Sequence, residues 1–328
     1  MGRIDTHAHF IPPAWRSACE EHGWTEAYGC YQKAWDPASH LDFAKSVGIT
    51  KSILSITSPG TNLVPSDRKL AAKLSRECNE YGAELKRQQP NDFGYWAALP
   101  LPFIEESLAE IAYVSENLNP DGFGLLSNFH GVYLGDSALD PIFEELNRRK
   151  AKVFIHPTGP CLAATCNSPP IRASPLRQFP DPMFEYLLDT TRCAINLFLS
   201  GTVSRYSNIT YVLSHGGGAL PPLIQRFTTF SGAILKLNNG IDAASVKKTL
   251  QERFFFDLAG FPFPDQIHGL LRYVDSSRIL YGSDFPFTPA SGAQFLAKML
   301  EKEGPTVFSK EGELEAIESG NAIRLLSS

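Results

Sequence analysis

The sequence predicts a (β/α)8 TIM barrel, an α/β fold, and three observations carry this prediction. The chain has 328 residues, which is enough for one barrel of this kind. Short runs rich in β-branched and aromatic residues alternate with segments of helical spacing, which is typical of parallel strands joined by crossover helices. Eight such runs occur, and eight strands at this length favour a closed barrel over an open sheet. No repeat, low-complexity tract or linker divides the chain, so we expect residues 1–328 to form one domain.

The predicted strands are short and are separated by segments with helical spacing. The strands cover residues 3–8, 51–56, 93–98, 122–126, 151–155, 209–214, 253–257 and 278–282. The helices between them include residues 67–88, 104–118, 138–149, 181–200 and 243–251.

Two stretches are too long for ordinary strand–helix loops. Residues 10–40 form an insertion after the first strand, and residues 157–180 are rich in proline. Both follow the carboxyl ends of predicted strands, where barrel enzymes assemble their active sites. We expect each stretch to be a lid or a wall of a substrate pocket, with a purely structural excursion as the alternative. The first stretch carries many aromatic residues, among them Trp15, Trp24, Tyr28, Tyr31 and Trp35.

Composition excludes several classes of protein. The formal net charge is −5 and no basic block occurs, so neither nucleic acid nor a charged membrane surface is an expected partner. The N-terminal run lacks the apolar core of a signal peptide, and no apolar run approaches the ~20 residues that span a bilayer. We therefore expect a cytoplasmic location. The cysteines form no C-x-x-C pair and are expected to be reduced thiols rather than zinc ligands; they are Cys19, Cys30, Cys78, Cys161, Cys166 and Cys193.

The end of the first predicted strand carries an H-x-H motif, formed by His7 and His9. Residues i and i+2 of a strand point to the same face, so both imidazoles can converge on one ion inside the barrel. Imidazole is a good ligand for zinc and for similar metals. An isolated H-x-H is more often two unrelated histidines, but its position at a strand end favours a site.

Two further residues with ligand chemistry follow predicted strands. His156 comes directly after the fifth strand, and Asp284 follows the eighth within the run GSDFP. Alone, His156 could be a core histidine and Asp284 could be a helix cap. Four such residues at the carboxyl ends of strands one, five and eight predict a metal site, formed by His7, His9, His156 and Asp284.

His215 ends the sixth predicted strand and is followed by three glycines. The glycines allow close approach of the backbone to a ligand, and a phosphate cradle is one alternative. The run lacks both nucleotide-binding glycine patterns, however. A histidine beside a metal is suited to proton transfer, and a fifth metal ligand is the rival role.

The order of these motifs resembles the amidohydrolase-related decarboxylases. This family includes aminocarboxymuconate-semialdehyde decarboxylase and the γ-resorcylate and 6-methylsalicylate decarboxylases. The likeness runs from DTHAHF to GSDFP and includes WDP at residues 35–37. The resemblance implies one divalent ion per subunit on His7, His9, His156 and Asp284, with a catalytic histidine at His215. Zinc is the expected metal, and manganese is the alternative.

The resemblance also implies a role for Arg226, which lies eleven residues after His215. In the aminocarboxymuconate branch, an arginine at this spacing reaches the site of the neighbouring subunit and binds a substrate carboxylate. A homodimer or a larger homo-oligomer is therefore expected, with a surface arginine as the alternative. That branch has a second arginine before WDP, whereas this chain has residues 31–34 as YQKA. The γ-resorcylate type usually has glutamate where His7 stands, so a 6-methylsalicylate-like acid is the favoured substrate.

By analogy with the family, the substrate's carboxylate and ortho-hydroxyl would chelate the metal. Asp284 would protonate the ring carbon that bears the carboxylate, and loss of CO2 would restore aromaticity. Phe10, Phe285 and Phe287 are candidates for packing on the ring, although each could equally be a core residue. His130 is a weaker candidate for the pocket wall. No nucleotide or pyridoxal signature occurs, so no organic cofactor is expected.

Three alternatives remain open from the sequence. The same barrel could hydrolyse a lactone or an amide, with an activated water in place of the proton donor. It could also decarboxylate aminocarboxymuconate semialdehyde. A non-catalytic binding barrel is the third reading, although it would be expected to have lost some of its ligand residues.

Overall fold

A computed structural model describes residues 2–24, 35–162, 171–173, 176, 178–237 and 241–327. Features predicted at Tyr28, Tyr31, Cys30 and Cys166 lie outside the described residues, as do residues 163–170, 174, 175 and 177 of the proline-rich stretch 157–180.

Eight parallel strands form the central sheet, and their order in the sheet is their order in the chain. They are β1 (Arg3–His9), β2 (Ile49–Ser55), β3 (Phe93–Ala98), β4 (Gly122–Leu126), β5 (Lys152–His156), β6 (Thr210–Leu213), β7 (Phe254–Asp257) and β8 (Ile279–Leu280). Backbone hydrogen bonds then join the end of β8 to β1, from Thr6 N to Tyr281 O at 3.0 Å and from Asp284 N to His7 O at 2.7 Å. The predicted (β/α)8 barrel is therefore confirmed.

Helices cover the outside of this barrel. They are α1 (Pro13–Glu21), α2 (Pro37–Ser46), α3 (Arg68–Gln88), α4 (Ile104–Asn117), α5 (Asp140–Arg148), α6 (Glu185–Leu199), α7 (Thr202–Arg205), α8 (Leu220–Thr229), α9 (Ala243–Arg253), α10 (Gln266–Leu270), α11 (Ala290–Val307), α12 (Glu313–Glu315) and α13 (Asn321–Ser327). One π-helical turn (Phe230–Ile234) extends α8, and another (Ala316–Gly320) joins α12 to α13. Among the residues described, no helix has both the length and the apolarity to cross a membrane.

The strand and helix bounds agree with the sequence prediction except at a few ends. The helix expected at 181–200 begins at Glu185, because Asp181–Met183, with Pro182, forms a separate 3-10 turn. The last strand is shorter than predicted, since only Ile279 and Leu280 pair with β7.

Alternation along the strands divides the barrel into two apolar regions. Trp96, Phe154, Val212 and Leu280 fill the barrel interior, and a larger cluster lies between the strands and the helices. Phe154 is two residues before His156, so both side chains lie on the interior side of β5. The apolar interior thus forms a floor beneath the residues at the carboxyl ends of the strands.

The described parts of the two long stretches are ordered elements. In the first, α1 packs on α3, and Trp15 is fully buried while its Nε1 donates to Gly60 O at 2.8 Å. In the second, Cys161–Leu162 pairs antiparallel with Ile171–Arg172.

Candidate metal centre

Four side chains meet at the carboxyl ends of β1, β5 and β8. His7, His9, His156 and Asp284 each offer one ligand atom, and these four atoms lie within 4.8 Å of one another. The three histidines are buried, and the side chain of Asp284 is 18% exposed, so the site opens on the side of the carboxylate. The fold thus brings together all four residues that the sequence predicts as ligands, while their binding of a metal stays a prediction.

Asp284 lies between the two histidines of β1. Its Oδ1 is 3.1 Å from His9 Nε2 and 3.4 Å from His7 Nε2. The imidazole rings stand edge to face, with centroids 5.0 Å apart for His7 and His9 and 4.8 Å apart for His9 and His156. Three nitrogens and one carboxylate oxygen therefore surround one small volume.

Each histidine is oriented by a contact of its Nδ1. His7 Nδ1 donates to Asp257 Oδ2 at 3.0 Å, and His9 Nδ1 lies 2.9 Å from Ser55 Oγ. His156 Nδ1 donates to the carbonyl of Pro157 at 2.7 Å. Because Nδ1 is engaged in all three rings, Nε2 is the atom left to bind a metal.

This donor set fits a divalent metal. Three imidazole nitrogens and one carboxylate are the ligands that zinc and similar ions prefer. Within the described part of the chain, buried His7 Nε2 has no hydrogen-bond partner, which is costly unless an ion is bound there. None of the described cysteines belongs to this cluster.

Burial and neighbouring charges shift the pKa values of the cluster in directions that favour binding of a cation. Burial alone would raise the pKa of Asp284, but the neighbouring imidazoles of His7 and His9 hold it well below its usual range. Burial and the neighbouring histidines lower the pKa of His156. Burial would also lower the pKa of His7, but Asp257 and Asp284 raise it to about 10. The two carboxylates beside His7 thus favour a positive charge at this position, and a bound metal would supply one.

His215 stands beside these four residues. Its ring centroid is 4.9 Å from that of His7 and 5.9 Å from that of His156, but His215 is outside the group of four ligand atoms. Burial, followed by the charge of His7, lowers the pKa of His215 to about 4. Its buried Nδ1 has no hydrogen-bond partner among the described residues. A neutral imidazole with an unused nitrogen is therefore available to a bound substrate.

The backbone at His215 is held in an unusual conformation. His215 has φ 53°, in the left-handed region, and each of the three following glycines also has positive φ. A side chain on Gly218 would place its Cβ 2.3 Å from the carbonyl oxygen of Leu187. The amides of His215, Gly217 and Gly218 all donate within the protein. These glycines therefore serve backbone geometry, and three of the amides that a phosphate cradle would need already have partners within the protein.

The predicted substrate-binding residues have different surroundings. Phe287 is 5.3 Å from the ring of His9, at the site. Phe10 is 1% exposed and stacks on Tyr81 in a hydrophobic cluster, which favours the core role over contact with a substrate. Phe285 stacks on Phe43 at 3.9 Å and is also a packing residue.

Two other candidates do not belong to the group of four ligand residues. Arg226 is exposed on α8, beside a surface groove that includes Phe227 and Phe230. His130 binds the carbonyl of Asn62 through Nε2 at 2.8 Å and lines a small pocket with Thr158.

Two polar partners of the site were not predicted from the sequence. Asp257 ends β7 and contacts both His7 and the backbone of His215, and Thr288 donates to Asp284 Oδ2 at 2.9 Å. Asp257 could have been found by the logic applied to Asp284, since it is a carboxylate at the carboxyl end of a strand. Thr288 gave no such signal, because it lies beyond the strand in a turn.

Comparison with known proteins gives the class to which this barrel and site belong. The chain belongs to the amidohydrolase family, since the family model described as amidohydrolase matches residues 4–327. The resemblance that the motifs indicate is confirmed.

Several relatives of this chain are named as decarboxylases. Decarboxylase yanB of Aspergillus niger is 36% identical over 334 residues, covering 99% of this chain and 87% of that protein. The 6-methylsalicylic acid decarboxylase acuB of Aspergillus aculeatus is 35% identical over 305 residues, covering 92% of this chain and 89% of that protein. A crystal structure described as amidohydrolase II has a TM-score of 0.88 at 28% identity, covering 99% of this chain and all of the other.

Proposed function

We propose that this protein is a metal-dependent, non-oxidative decarboxylase of an ortho-hydroxy aromatic acid similar to 6-methylsalicylate. The observation that carries the proposal is the group of four ligand atoms within 4.8 Å, with the ring of His215 4.9 Å from that of His7. Identity of 35% to a 6-methylsalicylic acid decarboxylase, over 92% of the chain, supports this choice of reaction and substrate.

His7, His9, His156 and Asp284 would hold the ion, for which we propose zinc, with manganese as the alternative. A divalent ion bound there would supply Lewis acidity and a fixed position for the oxygens of the substrate. The apolar floor and Phe287 suit the ring of such an acid, since they offer contact without competing polar groups. His215 would bind the phenolic oxygen or adjust the position of its proton.

Asp284 would donate the proton that replaces the carboxylate. The new C–H bond forms at the ring carbon that carries the carboxylate, which interrupts the aromatic system. The bond from this carbon to the carboxylate then breaks, CO2 leaves, and the electron pair returns to the ring. Asp284 is left ionised and must be protonated again before the next turnover. Its pKa in the metal-free protein lies well below the usual range, so the proposal requires that substrate bound beside it raise that pKa.

The test is a comparison of three acids on the metal-loaded protein. We expect 6-methylsalicylate to release CO2 and give 3-methylphenol, both measured directly. The 2-methoxy analogue and the 4-hydroxy isomer should react at least about a hundredfold more slowly, because neither offers a carboxylate and a free hydroxyl side by side. Activity should disappear with a chelator and return with zinc or manganese.

A lactone or amide hydrolase on the same barrel is the second candidate, favoured by the same ligand set. Opening of a lactone, together with no CO2 from any ortho-hydroxy acid, would replace the decarboxylase proposal. Purified protein that holds no divalent metal, and gains no activity when zinc or manganese is added, would favour a non-catalytic barrel.

We also propose a homodimer or larger homo-oligomer in which Arg226 binds the carboxylate of the substrate in a neighbouring subunit. Arg226 is exposed, and the π-helical turn that follows exposes large apolar side chains. Phe230 is 44% exposed and Ile234 is 62% exposed, which is typical of a surface that another protein covers. Residues 1–328 as one domain and a cytoplasmic location remain our predictions.

A further inference from the structure

Asp257 is a fully buried carboxylate whose two oxygens contact two different parts of the site. Its Oδ2 accepts from His7 Nδ1 at 3.0 Å. Its Oδ1 accepts from the backbone amide of His215 at 3.1 Å and from that of Ala259 at 3.0 Å. One side chain at the end of β7 therefore touches both a predicted metal ligand and the backbone of the predicted acid–base residue.

The contact with His7 selects one tautomer of the imidazole. A carboxylate only accepts hydrogen bonds, so the proton must be on Nδ1, and Nε2 then carries the lone pair that a metal needs. Nε2 faces Asp284 Oδ1 at 3.4 Å, inside the group of four ligand atoms.

The contact with His215 is one half of a clamp on its backbone. Asp257 holds the amide, and Gln266 Nε2 donates to the carbonyl of His215 at 2.6 Å and to that of Gly218 at 2.9 Å. A φ of 53° is a strained conformation for a non-glycine residue, and His215 keeps it only because its surroundings hold it there. The two side chains provide this restraint from opposite ends of the residue.

We propose that Asp257 is a positioning residue that sets the ligand tautomer of His7 and the backbone of His215 together, whereas Gln266 secures His215 alone. The proposal rests on the proposed metal-dependent function. If the proposal is correct, the tautomer of His7 and the backbone conformation of His215 both depend on this one carboxylate.

The decisive variant is Asp257→Asn, which keeps the volume of the side chain. The two backbone amides retain an acceptor only if the amide oxygen of Asn replaces Oδ1, and the NH2 group then faces His7 Nδ1. That ring must therefore accept at Nδ1 and move its proton to Nε2, the atom that would bind the metal. We expect the dissociation constant for zinc, measured by chelator competition, to rise about 10- to 100-fold.

Two matched variants separate positioning from general disturbance. Asp5 is also fully buried, but its hydrogen bonds within the described part of the chain are to the backbone amide of His7, at 3.1 Å, and to Ser283. Asp5→Asn should therefore change zinc affinity no more than about threefold. Gln266→Leu should lower the turnover number at least about tenfold and leave zinc affinity unchanged, since both side-chain hydrogen bonds that it removes are to the His215 loop.

Zinc affinity within about threefold of the wild type in Asp257→Asn would overturn the proposal, as would an equal loss in Asp5→Asn. If Asp257→Asn does not fold, nitrogen-15 NMR of the zinc-loaded wild type tests the proposal by showing which nitrogen of His7 carries the proton. His7 protonated at Nδ1 supports the proposal, and His7 protonated at Nε2 overturns it. These measurements need no substrate. A failure to release CO2 would therefore contradict the proposed reaction without contradicting the role of Asp257.

Discussion

Thr288 Oγ1 donates a hydrogen bond to Oδ2 of Asp284 at 2.9 Å, and the other oxygen of that carboxylate faces His9 Nε2 at 3.1 Å. The two oxygens of Asp284 thus have different partners: Oδ1 faces the histidines and Oδ2 faces a hydroxyl. Oδ2 is the oxygen suited to carry a proton, and Thr288 fixes its direction.

Thr288→Val should lower the turnover number for the aromatic acid about tenfold or more, because the carboxylate loses a hydrogen bond to a charged acceptor. Steady-state kinetics at saturating metal would measure the change. Thr288→Ser keeps the hydroxyl and should stay within about threefold of the wild type. Turnover by the valine variant equal to that of the serine variant would show that Thr288 has no part in proton donation.

His156→Ala should abolish retention of metal while leaving the fold largely intact. The loss removes one of three imidazoles, and the barrel strands on either side of β5 do not depend on that ring for their pairing. Metal content after gel filtration and circular dichroism would measure the two effects. His268→Ala, which removes an exposed histidine on α10, is the control. Full metal occupancy in His156→Ala would refute the ligand role.

Mixing two inactive variants tests whether Arg226 acts across an interface. Arg226→Ala and His215→Ala should each be nearly inactive, and a dimer that contains one of each has one complete site. Random reassociation should therefore recover about a quarter of the wild-type activity. Light scattering should find a dimer or a larger assembly. No recovery from a properly reassociated mixture, or a fully active monomer, would contradict the prediction.

His40 should make the protein less stable in weak acid. It is fully buried, its Nε2 donates to Ser52 Oγ at 3.0 Å, and its Nδ1 accepts from Trp35 Nε1 at 3.3 Å. Burial, and then the charge of His9, lowers its pKa to about 4 from its ordinary 6.5. The unfolded chain therefore binds more protons between these values, so the contribution of His40 is complete above pH 6.5 and decreases as pH falls towards 4.

His40→Gln lacks this titration, and its measurement isolates the effect. Between pH 7.5 and pH 5, the free energy of unfolding of the wild type should fall by about 2 kcal/mol more than that of the variant. Urea unfolding of the metal-free proteins would measure it, since metal binding then adds no pH dependence of its own. Equal decreases in the two proteins would contradict the lowered pKa.

The ligand residues could be predicted because strand ends are local features of the sequence. His7 and His9 are two residues apart on one strand. His156 and Asp284 follow short apolar runs, which indicate buried strands. Because all eight strands of the barrel are parallel, residues at their carboxyl ends lie together at one end of the barrel.

The supporting contacts could not be predicted in the same way. Gln266 lies 51 residues after His215 in the chain, at the start of α10. No feature of the neighbouring sequence indicates that its side chain points inward to the His215 loop. Phe10 resembled a pocket wall because it follows His9, but alternation turns it away from the cluster and into packing with Tyr81. Whether an aromatic side chain meets substrate or core depends on the packing of distant helices.

The crowding at Gly218 has a practical meaning for laboratory evolution of the protein. Because any other residue there would collide with the main chain at Leu187, a library that randomises residues 215–218 would consist mostly of misfolded loops. Diversity is better placed at Phe287, whose side chain faces the site from a position with ordinary backbone geometry. Altering the range of acids accepted should start there, with the glycines kept constant.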